Sequence, residues 1–206
     1  METAAWISSI KTGVLALQGD FKEHLDIFRG LGVEAIEVRL PAQLDGVSHL
    51  VIPGGESTAI SMLLESSGLD QTLRQYIADG RPIFGTCAGM ILLSKEILGG
   101  RSDQIAFGAI DITVQRNGFG RQVESFETRL EVKGITDPID VAFIRAPVVV
   151  RIGDGVEDLA NVDYVFKEGG SRRVPVVCSQ GSTLVSSFHP EVTGESGLHR
   201  LFIERF

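Results

Sequence analysis

Short, unbroken apolar runs alternate with helical stripes through the first half of the chain, a pattern suited to a parallel sheet buried on both faces. Residues 13–17, closed by Gln18-Gly19, predict one strand, and residues 33–38 a second. A third covers 49–52 and ends in Pro53-Gly54-Gly55; a fourth covers 82–85. Phe21, Leu25 and Phe28 form a helical stripe after the first strand. A helix starts at Ser57 or Thr58 with Ile60, Leu63 and Leu64 on one face, and another begins near Asp70 with Leu73, Tyr76 and Ile77. Met90, Ile91, Leu93 and Ile97 predict a further helix that stops at Gly99-Gly100.

After about residue 105 the pattern changes. β-like runs at 110–114, 126–132, 141–144, 148–152, 162–166, 174–179 and 183–188 follow one another with no helical stripe between them. This half is expected to add antiparallel strands to the parallel core. Leu198, Leu201, Phe202 and Phe206 then close the chain with a helix. The expected fold is α/β, in three layers, as a single domain over 11–206 preceded by an extension at 1–10. A 206-residue chain that is 43% hydrophobic has enough apolar material for one such core.

Charge and cysteine usage narrow the function. A net charge of −8 repels phosphate backbones, so nucleic acid is not an expected partner. No apolar run approaches the roughly 20 residues that span a bilayer, and the start lacks the pattern of a secretory signal, so a cytoplasmic location is expected. Two cysteines, Cys87 and Cys178, make no disulfide framework. With four scattered histidines they offer no metal-ligand spacing either, so no metal or cofactor is expected.

Cys87 stands apart. Gly85-Thr86-Cys87-Ala88-Gly89 has the form G-x-C-x-G between a strand and a helix, a nucleophile elbow with sulfur as nucleophile. Such a turn is tight, and side chains two residues either side would collide with neighbouring strands. The turn lifts the sulfur to the carboxyl edge of the sheet and aims the Ala88 amide at any oxyanion that forms. Cys178 lies in an apolar run and reads as a small core residue.

A thiolate that expels an amine needs a proton donor within reach. His49 leads into an apolar strand, and His24 and His199 lie on helical segments; all three read as surface or packing histidines. His189 follows a strand directly and is followed by Pro190 and Glu191, so the carboxylate can accept from its second ring nitrogen. Pro53-Gly54-Gly55-Glu56-Ser57 ends a strand and opens a helix without the lysine of a phosphate loop, and a second oxyanion amide from Gly54 or Gly55 is its better use.

These motifs, in this order, resemble the class I, triad-type glutamine amidotransferases. Gly13 to Gly19, Pro53 to Thr58, Gly85 to Met90, Arg116 to Gln122, Phe143 to Pro147 and Ser187 to Glu191 carry the resemblance, and they point within that superfamily to the glutaminase subunits of pyridoxal phosphate synthases. The resemblance implies a flavodoxin-like sandwich with a mixed, mostly parallel sheet. It implies Cys87 as nucleophile, His189 as acid and base, and Glu191 as its orienter. Gly55, Glu56, Ser57, Arg116, Ile144 and Arg145 would line the glutamine site, with Gly55 and Ala88 around the oxyanion. It also implies a barrel-shaped synthase partner that consumes the ammonia. Three rivals stay open: a glutaminase serving another synthase, a γ-glutamyl or peptide hydrolase that works alone, and a binding subunit that has lost its chemistry.

Overall fold

The computed structural model describes residues 9–119, 126–165 and 170–206. The extension expected at 1–10 and the Arg116 to Gln122 block therefore fall partly outside the described residues.

The central sheet has seven strands. In chain order they are β1 (Lys11–Leu15), β2 (Glu34–Val38), β3 (His49–Ile52), β4 (Ile83–Thr86), and, much later, β10 (Glu157–Val165), β11 (Ser171–Gln180) and β12 (Thr183–Ser186). They lie in the spatial order β10-β11-β12-β4-β3-β1-β2. From β12 to β2 every neighbouring pair is parallel, and β11 runs against both of its neighbours. The sheet is mixed and mostly parallel, as expected.

Helices cover both faces, which explains the apolar runs. Val14, Val51, Phe84 and Leu184 pack on one side with Leu25 and Phe28 of α1 (Phe21–Gly30) and with Leu198 and Phe202 of α5 (Gly197–Arg205). Their immediate neighbours Leu15, Leu50, Ile52, Ile83 and Val185 point the other way. There they meet Ile60 and Leu64 of α2 (Ser57–Ser67), Leu73 and Tyr76 of α3 (Leu69–Ala78), and Met90 of α4 (Ala88–Leu93). Successive strand residues face opposite layers, so a two-sided core leaves no polar alternation in the sequence.

Two expectations need correction. The helix after Cys87 ends at Leu93: Ser94 turns extended, and its hydroxyl donates to the Ile91 carbonyl at 2.7 Å. Ile97 sits instead on β5 (Ser94–Leu98), paired beside Val114 of β6 (Ile110–Gln115). A short apolar stretch fits either period, and the strand pairing decides it. The later strands also do not all join the central sheet. β5, β6 and β9 (Val148–Ile152) form a separate three-stranded sheet, and β7 (Phe126–Leu130) pairs with β8 (Ile139–Phe143) in a two-stranded ribbon. The returning β12 is parallel to β4 rather than antiparallel.

The elbow glycines are fixed by space. A Cβ on Gly89 would lie 2.1 Å from the Ile52 carbonyl oxygen, and one on Gly85 would lie 2.6 Å from the Gly89 carbonyl carbon. Both obstacles are backbone. Gly30, at the end of α1, has nothing within 4 Å of the same position. Gly89→Ala is expected to destabilise the fold by about 3 kcal/mol, and Gly30→Ala to be neutral or to stabilise it by up to about 1 kcal/mol. Chemical denaturation of the two variants checks the contrast.

Candidate active site

Strand register brings the site together. Thr86 of β4 lies opposite Ser186 of β12, and the Cys87 amide donates to the Ser186 carbonyl at 2.8 Å. Both chains then leave the sheet at the same edge, one into Cys87 and the other into His189. The His189 amide is held by the Ala142 carbonyl at 3.1 Å. From β3 the Gly54-Gly55 loop closes over the imidazole so tightly that a Cβ on Gly54 would lie 2.2 Å from a ring carbon. The β1 end completes the edge, with the Asp20 amide on the Gly54 carbonyl at 3.2 Å and Gln18 Oε1 accepting from the Glu56 amide at 2.8 Å. This is the carboxyl edge of the strands, where open α/β sheets bind ligands.

A pocket of about 340 Å³ opens here, lined by Gln18, Asp20, Gly55, Glu56, Ser57, Cys87, Ile91, Arg116, Asn117, Ile144, Arg145 and His189. Cys87, Asn117 and Arg145 are the non-glycine residues with positive φ among the described residues, at 47°, 48° and 48°. All three face this pocket, so the backbone strain of the described chain is concentrated where a ligand would sit.

Behind the pocket, Glu191 Oε1 meets His189 Nδ1 at 2.7 Å, with the carboxylate buried. Asp20 adds a second carboxylate 3.5 Å from the same nitrogen. Burial alone would lower the His189 pKa. Hydrogen bonds with Asp20, Cys87 and Glu191 outweigh it and hold the imidazolium well above its ordinary range. Burial raises the Glu191 carboxyl, and contact with His189 only partly offsets that. Asp20, His189 and Glu191 bring their donor atoms within 4.8 Å of one another, the spacing of a metal site. Yet both carboxylates converge on Nδ1, whose proton they share, so that nitrogen has no lone pair for a metal.

The expected residues separate into groups. Cys87, His189, Gly55, Glu56, Ser57, Arg116, Ile144 and Arg145 line the pocket; Glu191 stands behind His189, and Ala88 opens α4 directly after Cys87. Glu56 caps α2, accepting from Thr58 and Ala59 amides at 3.2 and 2.7 Å. Burial would raise its carboxyl, but these amides and Arg116 keep it lowered. Arg116 is spent in that pair, at 2.8 Å from Glu56 Oε1. Among the described residues Arg145 has no ion pair, and the buried Ser57 hydroxyl has no hydrogen-bond partner. Cys178 is sealed in β11, its thiol pushed up to about 12 by burial. His49 packs edge-on against Phe202, with burial lowering it to about 4.

Sequence reasoning missed Asp20, Asn117 and Ile91 at the pocket. Asp20 lies beyond the end of β1 at Leu15, and no local pattern marks it.

The chain is similar to known proteins over nearly its whole length. Residues 14–206 match the SNO glutamine amidotransferase family. The chain belongs to that family. A Nocardioides protein named pyridoxal 5′-phosphate synthase subunit PdxT is 54% identical over 192 residues, covering 93% of this chain and 94% of its own length. A protein of the same name from Nocardia farcinica is 52% identical over 193 residues, covering 93% and 84%. A solved glutamine amidotransferase superposes with a TM-score of 0.82 at 47% identity, over 94% of this chain and 97% of that one.

Removing either carboxylate partner weakens the support for the imidazolium, so His189 gives up its proton at lower pH. Imidazole nitrogen NMR is expected to show His189 titrating well above 6.5 in the native chain and lower in both Asp20→Asn and Glu191→Gln. An unchanged titration in both variants would contradict the assigned partners.

Proposed function

We propose that this chain hydrolyses glutamine to glutamate and ammonia through Cys87, His189 and Glu191, as the glutaminase subunit of a pyridoxal phosphate synthase. The observation that carries the reading is the meeting of Cys87, on its strained turn, with a hydrogen-bonded His189 at one pocket. The pocket volume of about 340 Å³ is at the small end for ligand sites and suits one free amino acid.

The Cys87 sulfur adds to the side-chain amide carbon of glutamine. The oxyanion is met by the Ala88 amide and by a backbone amide at Gly55, each contributing roughly 3 kcal/mol in the transition state. His189 gives its proton to the departing nitrogen, ammonia leaves, and a γ-glutamyl thioester remains on Cys87. His189 then takes a proton from water, which adds to the thioester, and glutamate departs as the sulfur is regenerated. Glu191 holds the imidazole in the orientation both steps need. Arg145 is the cation assigned to the substrate carboxylate, since Arg116 is already paired with Glu56. Ser57 lines the same pocket, its buried hydroxyl without a hydrogen-bond partner.

Ammonia released into water takes up a proton and stops being a nucleophile. A glutaminase of this kind therefore works beside an enzyme that consumes its product, and relatives named as synthase subunits supply the partner class. By resemblance that partner is the barrel-shaped synthase subunit. Among the described residues no helix is long and apolar enough to cross a membrane.

Ammonia release from glutamine, measured with and without the synthase subunit, tests the reading. The native chain is expected to be faster with the synthase, and Cys87→Ala to lose at least about 10⁴-fold in kcat while unfolding at the native temperature. Retained turnover in Cys87→Ala would reject the mechanism, and equal rates with and without the synthase would reject the coupling.

A further inference from the structure

Behind the Glu191 carboxylate lies a second polar line, sealed from solvent. Glu191 uses Oε1 on His189, while Oε2 is buried without a hydrogen bond of good geometry. His24 Nε2 stands 3.4 Å from that oxygen and 3.3 Å from Thr86 Oγ1. The other nitrogen of the same ring, Nδ1, is 2.7 Å from His199 Nε2. His24 comes from α1, His199 from α5 and Thr86 from the end of β4, and all three are completely buried. The rings of Phe28 and Phe84 pack edge-on against His199, so the surroundings are otherwise apolar. Two imidazoles in such a layer are unfavourable unless their nitrogens are used.

The protons have one arrangement that fits. Burial pushes His24 well below its ordinary value, with the neighbouring His199 and His189 acting in the same direction; burial likewise takes His199 down to about 3. Each ring is therefore neutral and carries one proton, and the 2.7 Å contact needs one proton between them. If His199 supplies it, His24 Nδ1 accepts, and the His24 Nε2–H faces Glu191 Oε2 and Thr86 Oγ1. If His24 supplies it, a bare lone pair faces the carboxylate oxygen, which an ionised Glu191 disfavours. His199 Nδ1 has no hydrogen-bond partner. A backbone hydrogen bond at Glu195 acts on His199 in the opposite sense to burial, although no contact of good geometry reaches Nδ1.

We propose that His24, held in this tautomer by His199, is a positioning residue that presents an N–H to Glu191 Oε2 and so fixes the carboxylate that orients His189. Its effect on rate rests on the glutaminase reading, whereas its effect on the His189 proton does not. The groups facing His24 are His199 from α5, Thr86 from β4, and Glu191 with His189 beyond it from the segment after β12. His189 is faced in turn by Asp20, Cys87 and Glu191. Without the His24 N–H, the Glu191 anion is less stabilised, its support for the imidazolium weakens, and His189 loses its proton at lower pH.

The test compares His24→Leu with His24→Gln, whose amide N–H reaches the Nε2 position, in the full chain. Two readouts are taken: glutamine turnover with the synthase subunit, and His189 titration by imidazole nitrogen NMR. His24→Leu is expected to lower kcat about tenfold with KM within about twofold, and to shift the His189 titration to lower pH. His24→Gln is expected to recover most of kcat and to return the titration toward the native position. If thermal unfolding shows that His24→Leu does not fold, His24→Asn takes its place, since its shorter amide does not reach Glu191. Native kcat and native titration in the donor-less variant would overturn the proposal, as would a Gln variant no better than it. If the native chain itself releases no ammonia, the glutaminase reading fails, while the titrations still decide the role of His24.

Discussion

The parallel pairing of β4 with β12 is the constraint on which the site depends. It joins residues about a hundred positions apart in the chain, and its register sets Thr86 beside Ser186. From that point each strand has only a few residues in which to place its functional side chain. A shift of one residue would reverse which sheet face each side chain meets and would separate Cys87 from His189. β12 is also buried on both faces, Leu184 into one layer and Val185 into the other, so the register is pinned by the core. Stability and chemistry here rest on the same hydrogen-bonded ladder.

The surroundings of that pair are built to hold it still. Gly54 lies against the imidazole, Gly89 lies against the Ile52 carbonyl, and neither position has room for a methyl group. The three strained non-glycine backbones of the described residues surround one pocket. Strain of this kind lasts only where neighbouring packing over-determines it. Cys87 illustrates this: its amide is bound by β12, its carbonyl accepts from the Ile91 amide at 3.2 Å, and α4 follows at once. Charge follows the same plan. Glu56 is shared by the α2 amides and Arg116, which leaves Arg145 as the cation facing the pocket without an ion pair among the described residues.

Much of this was legible in the sequence because local patterns carried it. The early strands and α1 to α3 announce themselves by period, and α2 begins at Ser57 as its preceding turn suggests. The elbow was legible because Gly85 and Gly89 flank Cys87 at a strand end, and His-Pro-Glu because it follows another strand end. Long-range pairing left no local trace, so β12 could not be placed beside β4 from its own residues. Ile97 suits a helical stripe because an apolar position satisfies both periods, and the partner strand that decides it lies beyond a loop. Asp20 lacked any pattern and reaches His189 only through the fold. By their place on helical segments, His24 and His199 read as surface or packing residues. They are indeed packed, but their polar role depends on a contact spanning α1 and α5 that no spacing encodes.

The most direct measurement of the account is identification of the covalent intermediate. The native chain, assembled with its synthase and given glutamine, is quenched in acid and its peptides are examined by mass spectrometry. A γ-glutamyl group on the peptide that carries Cys87, and none on the peptide that carries Cys178, is the expected result. Ammonia release with no adduct on Cys87 in single-turnover samples taken across the reaction, or an adduct on another residue, would contradict the account.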